Sequence, residues 1–156
     1  MNIVALLTEK GLKISTAESC TGGLVAKLIT DISGSSACFE MGVVTYSNEA
    51  KIKLPGISRQ TLDEYGAVSA HAAAQMCEGI MTLAKSDIGL SVTGIAGPSG
   101  GTPEKPVGLV YIGVCGRGGT VTEELNLSGT RDEIRSLAAK RALQIATEYI
   151  VQNYNS

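Results

Sequence analysis

The 156-residue sequence has no Trp, one Phe, one His and four Pro, and these scarcities remove several kinds of protein from consideration. A single His cannot build a multi-His metal centre. Cys20, Cys38, Cys77 and Cys115 lie too far apart in sequence to give a CxxC-type zinc pair, so metal catalysis is not expected. No apolar run approaches the ~20 residues of a spanning helix, and residues 1–10 lack the basic start and small-residue cleavage site of a signal peptide. A formal net charge of −2, from 13 Lys+Arg against 15 Asp+Glu, leaves no basic footprint for nucleic acid or an anionic membrane. Only local cations remain to hold a phosphate. Four scattered Cys without an export signal read as reduced thiols, which sets the expectation of a cytoplasmic protein.

Glycine is abundant, with 19 residues, while Pro stays at 4 and the hydrophobic fraction at 44%. That combination is neither collagenous nor disordered, so the glycines belong to turns, tight loops or ligand cradles. At roughly 100–200 residues per domain, the length suits one domain over 1–156.

Periodicity predicts a short helix over 2–11, a strand over 13–17, and a helix over 22–29 after a Gly pair. A strand over 39–47 leads into a helical turn that contains Lys51. Helices are expected over 58–65 and 69–85, then an apolar strand over 88–93 that runs into a Gly-rich loop. Strands over 107–115 and 120–127 read as a hairpin around Gly116-Arg117-Gly118-Gly119. Thr130-Arg131-Asp132-Glu133 is a capping box that opens a long amphipathic helix. This order predicts an α/β protein, a three-layer α/β/α sandwich with a mixed, mostly parallel sheet.

Ligands of open α/β sheets bind beyond the carboxyl ends of the strands, and three polar clusters fall at such places. In Thr16-Ala17-Glu18-Ser19-Cys20-Thr21-Gly22-Gly23, small residues ahead of a helix can present N–H groups to an anion, or Thr21 simply caps that helix. Gly34-Ser35-Ser36 and Tyr46-Ser47-Asn48-Glu49-Ala50-Lys51 combine hydroxyls with a Lys. A serine needs no His if a desolvated, neutral Lys takes its proton, yet Lys51 is equally readable as a solvated helix residue. The loop from Thr93 through Gly94, Gly97 and Gly101 to Thr102, backed by Lys105, exposes many amides suited to a phosphate, a ribose or an oxyanion. Arg131 is a phosphate clamp or a surface ion-pair partner. His71 reads as a solvated residue at a helix start, outside the site. Cys20 reads as a packed small residue, with a thiolate nucleophile as the second choice.

Taken together, residues 16–23, the run from Gly42 to Lys51, Ser91-Val92-Thr93-Gly94-Ile95-Ala96-Gly97-Pro98, Gly100-Gly101-Thr102 and Lys105-Pro106-Val107-Gly108 resemble the CinA carboxy-terminal domain family over nearly the whole chain. The resemblance implies an amidohydrolase that converts nicotinamide mononucleotide to nicotinate mononucleotide and ammonia, a step of pyridine nucleotide salvage, without metal or organic cofactor. It implies Ser36 as nucleophile, Lys51 as base and Tyr46 as an assisting group. Glu18, Ser19, Thr21, Gly22, Asn48, Thr93, Gly94, Gly97 and Arg131 are then the expected substrate contacts, with Arg135 the alternative to Arg131. A homo-oligomer is also implied. The alternative reading is a catalytically silent nucleotide-binding paralogue, or an enzyme for another small amide.

Overall fold

The structure, a computed structural model, describes residues 1–155; Ser156 of the expected domain lies outside them. Five strands form one sheet: β1 (Ile14–Glu18), β2 (Phe39–Val44), β3 (Ile88–Gly94), β4 (Leu109–Gly116) and β5 (Gly119–Asn126), in the order β2-β1-β3-β4-β5. β1 pairs in parallel with β2 and β3, whereas β3–β4 and β4–β5 are antiparallel, so the sheet is mixed as the element order predicted.

The helices are α1 (Ile3–Lys10), α2 (Leu24–Thr30), α3 (Asn48–Lys53), α4 (Arg59–Tyr65), α5 (Ala70–Ala84) and α6 (Arg131–Asn153). Side chains define most of their starts: Asn2, Ser47, Ser58, Ser69 and Thr130 each accept a backbone N–H three residues on. At Thr130 the Glu133 carboxylate returns the bond, completing the capping box. Among the described residues, no helix is long and apolar enough to cross a membrane.

The two faces of the sheet differ in side-chain size, and this sets how the layers pack. On one face Ile14, Ile88, Leu90, Val92, Val110, Ile112 and Val114 meet α1, α2 and α6 in the main core. On the other face Gly89, Ser91 and Gly113 leave almost no side chain, and α5 comes down onto the strands. A Cβ on Gly113 would lie 2.5 Å from the carbonyl oxygen of Ala73, and one on Gly89 2.1 Å from that of Cys77. Ser91 uses the closeness, donating its hydroxyl to Ala73 O at 2.6 Å. The result is three layers, with α5 seated on one face and α1, α2 and α6 on the other.

Candidate active site

From β1 the chain crosses to β2 on one side, then returns past β1 to β3, so the strand order reverses between β1 and β3. Crevices form at such switch points beyond the carboxyl ends of the strands. A cavity of about 340 Å³ lies there, lined by Ser19 and Cys20 after β1, Tyr46, Asn48 and Lys51 after β2, Thr93, Gly94 and Gly97 after β3, and Arg131 at the start of α6.

Lys51 is the least expected of these side chains. It is only 2% exposed, and its ammonium position donates to Tyr46 O at 3.1 Å. Among the described residues no carboxylate lies within ion-pair distance of it. Burial without a counter-charge disfavours the ammonium, and desolvation lowers the Lys51 pKa from its ordinary value. The short helix α3, capped by Ser47, turns Lys51 inward under the pocket floor. A buried lysine held towards neutrality is a proton acceptor rather than a surface charge.

Ser19, just after the end of β1, lines the same cavity. Its backbone N–H bonds Val92 O at 2.9 Å, locking the position, while its side-chain hydroxyl has no hydrogen-bond partner among the described residues. Cys20 also lines the cavity, but burial pushes its thiol up to about 11, so it rests as a neutral group. Thr93 donates to Ala67 O at 2.8 Å and thereby fixes the wall opposite.

Arg131 closes the other end. Its guanidinium donates to Gly97 O at 2.6 Å and to the Tyr46 hydroxyl at 3.0 Å, joining the Gly-rich loop to the segment after β2. No carboxylate neutralises it among the described residues. With Lys51 and Arg131 as its two basic groups and no acidic lining, the cavity is suited to an anionic ligand.

Several expected contacts fall elsewhere. Ser36 is exposed in a single 3-10 turn, Ser35–Ala37, immediately before β2, whereas Tyr46 and Lys51 follow it. Neighbouring Cys38 senses Thr8 and Lys13, which precede β1, so this turn belongs to the far end of the sheet. One chain therefore does not bring Ser36 together with Lys51. Glu18 is also not in the cavity. Its buried carboxylate accepts from the Thr21 hydroxyl at 2.6 Å and from the N–H groups of Val25 and Ala26 at 2.8 and 3.1 Å. These bonds serve α2, whose own cap position is Gly23 with no side chain to offer. Thr21 is thus a partner of Glu18 rather than a ligand contact or a direct cap, and Gly22 lies with Thr21 along a separate hollow next to Arg135. Arg135 donates to the carbonyls of Cys20 and Thr21 at 3.0 and 3.1 Å and braces that turn from behind. Of the two arginines, Arg131 faces the cavity.

Ala67 and Val68, which wall the pocket between α4 and α5, carried no chemical signal in the sequence. Their place follows from the Thr93 bond across the sheet.

Known proteins agree with this architecture. A putative competence-damage inducible protein of Caldanaerobacter subterraneus subsp. tengcongensis is 54% identical over 148 residues, covering 95% of this chain and 36% of that protein. A CinA-like protein of Kosmotoga olearia is 55% identical over 141 residues, covering 90% and 34%. The chain thus spans about a third of the length of these curated relatives. Among solved structures, the competence/damage inducible protein CihA of Agrobacterium tumefaciens superposes with a TM-score of 0.91 at 43% identity, covering 94% of this chain and 90% of that one. A CinA superfamily protein of Klebsiella pneumoniae gives a TM-score of 0.91 at 34% identity, covering 96% and 94%. Residues 1–150 match the CinA C-terminal domain, and the chain belongs to that family.

Proposed function

We propose that the cavity is the active site of an amidohydrolase acting on nicotinamide mononucleotide, with Lys51 as general base. The observation that carries this reading is a fully buried lysine without a counter-charge, sharing a pocket with an unengaged serine hydroxyl and an unneutralised arginine. We assign the nucleophile's role to the Ser19 hydroxyl, which lines the same cavity as Lys51, in the place that the sequence resemblance assigned to Ser36.

Neutral Lys51 accepts the Ser19 hydroxyl proton as the oxygen forms a bond to the carboxamide carbon. The tetrahedral intermediate collapses with cleavage of the C–N bond, and the Lys51 ammonium gives its proton to the departing amine, releasing ammonia. Water then adds to the acyl ester, Lys51 again accepting a proton, and nicotinate mononucleotide leaves with Ser19 restored. Backbone N–H groups of the 94–97 loop are suited to hold the oxyanion, and Arg131 is suited to the 5′-phosphate through the donors that its protein partners leave free. Tyr46, whose hydroxyl Arg131 already holds, lines the mouth of the same space.

The test is ammonia release from nicotinamide mononucleotide by the purified chain. Lys51→Ala and Ser19→Ala are each expected to lower kcat by about 10²–10⁴, the usual weight of a positioned base and its nucleophile. Near-normal ammonia release by either variant overturns the mechanism. Calorimetric binding of the mononucleotide without any turnover by the wild type selects the silent nucleotide-binding reading instead.

A further inference from the structure

The close seating of α5 on the sheet gathers three sulfur atoms at a place the cavity does not use. Cys77 and Met81 stand four residues apart on α5 and therefore share a face of that helix, while Cys115 lies on β4. Gly89 of β3 is the register partner of Cys115. A Cβ at Gly89 would lie 2.1 Å from Cys77 O and 3.0 Å from Cys115 Sγ, so the missing side chain is what lets the two cysteines converge. Their thiols are close enough to hydrogen-bond one another. The Cys115 S–H donates to Met81 Sδ at 3.7 Å, and the Cys77 S–H donates to Ala74 O at 3.2 Å. Both cysteines are free and buried, whereas Met81 is half-buried and walls a hollow of about 530 Å³ beside Leu12, Arg117 and Tyr154.

We propose that these sulfurs form a binding site for a soft monovalent cation, copper(I), held between Cys115 Sγ and Met81 Sδ with the Cys77 thiol beside it. The hydrogen bond from Cys115 to Met81 already places one proton between a thiol and a thioether. Copper(I) replaces that proton charge for charge. The S–H bond of Cys115 gives way to an S–Cu bond, the Met81 thioether supplies the second lone pair, and the proton leaves to water. No oxidation state changes, and the buried site stays neutral, which avoids the cost of an uncompensated charge in the core. Metal–sulfur bonds of about 2.3 Å set two sulfur ligands about 4.0 Å apart at 120° and about 4.6 Å apart in line. The Met81 sulfur therefore has to withdraw by less than about 1 Å, and its unbranched side chain, with the hollow on its other side, has the freedom to do so.

The donor set also selects the ion. Thiolate and thioether sulfur suit copper(I), which is satisfied by few ligands, whereas zinc requires four and draws on His or carboxylate when Cys runs out. Among the described residues no three of His, Cys, Asp and Glu stand together as a metal group, so a harder divalent ion finds no ligand set here. The nearby Glu78 carboxylate is already engaged, accepting from the Thr120 hydroxyl at 2.8 Å. Cys38 donates to Ser35 O rather than to a thioether. The hollow supplies an entry path, with Met81 the first sulfur met from solvent. A copper ion at this place ties α5 to β4 and β3 beneath it, and the inference does not depend on the amidase reading.

The test uses the intact, reduced chain without oxygen and needs no substrate. Copper(I) is presented as its complex with the chromogenic chelator bicinchoninate, and one equivalent per chain should pass to the protein. X-ray absorption should then show only sulfur around the metal. Met81→Leu nearly conserves volume and keeps the fold, yet it should weaken copper binding by at least about tenfold, the lower bound for loss of even an outer partner of a metal ligand. Cys115→Ala should abolish the uptake, with circular dichroism showing that both variants are folded. A Cys20→Ser/Cys38→Ser chain, which keeps the three sulfurs, should still take one equivalent. Failure of the wild type to draw copper from the chelator overturns the proposal. So does wild-type affinity in folded Met81→Leu, or loss of the equivalent in a folded Cys20→Ser/Cys38→Ser chain, because the metal then sits elsewhere.

Discussion

Lys51 joins an energetic cost to a chemical use. A lysine 2% exposed with one carbonyl partner pays desolvation whenever it is charged, and its lowered pKa expresses that cost. Below the folded-state pKa the penalty is fully present. As pH rises from there towards the unfolded value of about 10.4, the unfolded chain binds more protons than the folded one, so stability increases. Lys51→Met is therefore expected to raise the stability of the fold by about 1 kcal/mol near neutral pH while abolishing turnover, with the stability gain fading in alkaline solution. Urea midpoints at several pH values check it. In the proposed amidase mechanism the base must be neutral, so the same sign applies and kcat should climb with pH and level off above the Lys51 pKa. A flat profile in Lys51→Arg traces of residual activity would identify the lysine as the titrating group.

Glu18 illustrates how an element depends on a residue that lies outside it. The helix α2 begins on Gly23, and its first N–H groups would be buried without partners were it not for the Glu18 carboxylate at the end of β1. Glu18→Ala is expected to cost about 2 kcal/mol or more, the penalty of leaving buried donors unmade. It should appear as a lower urea midpoint with an unchanged slope. Because Ser19 directly follows Glu18, the same variant should also lower kcat, although no atom of Glu18 lines the cavity. The amphipathic patterns of α5 and α6 were visible in sequence because burial repeats at helical spacing in both. The role of Glu18 was not, since a carboxylate before a Gly pair looks the same whether it faces a ligand or the helix that follows.

The molecule is fastened at the end remote from the cavity by Tyr154. Its hydroxyl accepts the Arg117 N–H at 2.8 Å, the Arg117 guanidinium lies 4.4 Å above its ring, and Lys10 donates to its carbonyl at 2.5 Å. Through its side chain and its backbone carbonyl this residue ties α1, the β4–β5 hairpin and the end of α6 together. Tyr154→Ala is expected to lower stability by about 2–3 kcal/mol through lost packing and an orphaned N–H. KM and kcat should stay within twofold at a temperature where the variant is folded, since the switch-point cavity lies across the sheet. A comparable fall in activity without unfolding would place the cavity and this fastening in one cooperative unit.

Local pattern was enough to identify the strands, the helices, the Thr130 capping box, the β4–β5 hairpin and the α/β class, because each of these depends on neighbours within a few residues; it offered Asn48 as the cap of α3, where Ser47 accepts the bond. It also singled out the three clusters after β1, β2 and β3, since glycine, serine and a lone lysine are conspicuous in a chain with one His. Strand direction and pairing order were beyond its reach. Whether Ser36 or Ser19 accompanies Lys51 turns on which end of β2 each occupies, and that is set by the parallel pairing of β1 with β2 and β3. Arg131 and Arg135 differ by one helical turn and were equivalent as sequence; packing of α6 against the sheet aimed the first into the cavity and the second at the back of the 20–21 turn. Burial of Lys51 has the same origin. A charged side chain on a short helix is solvated by default, and only the layers closing around α3 removed its water.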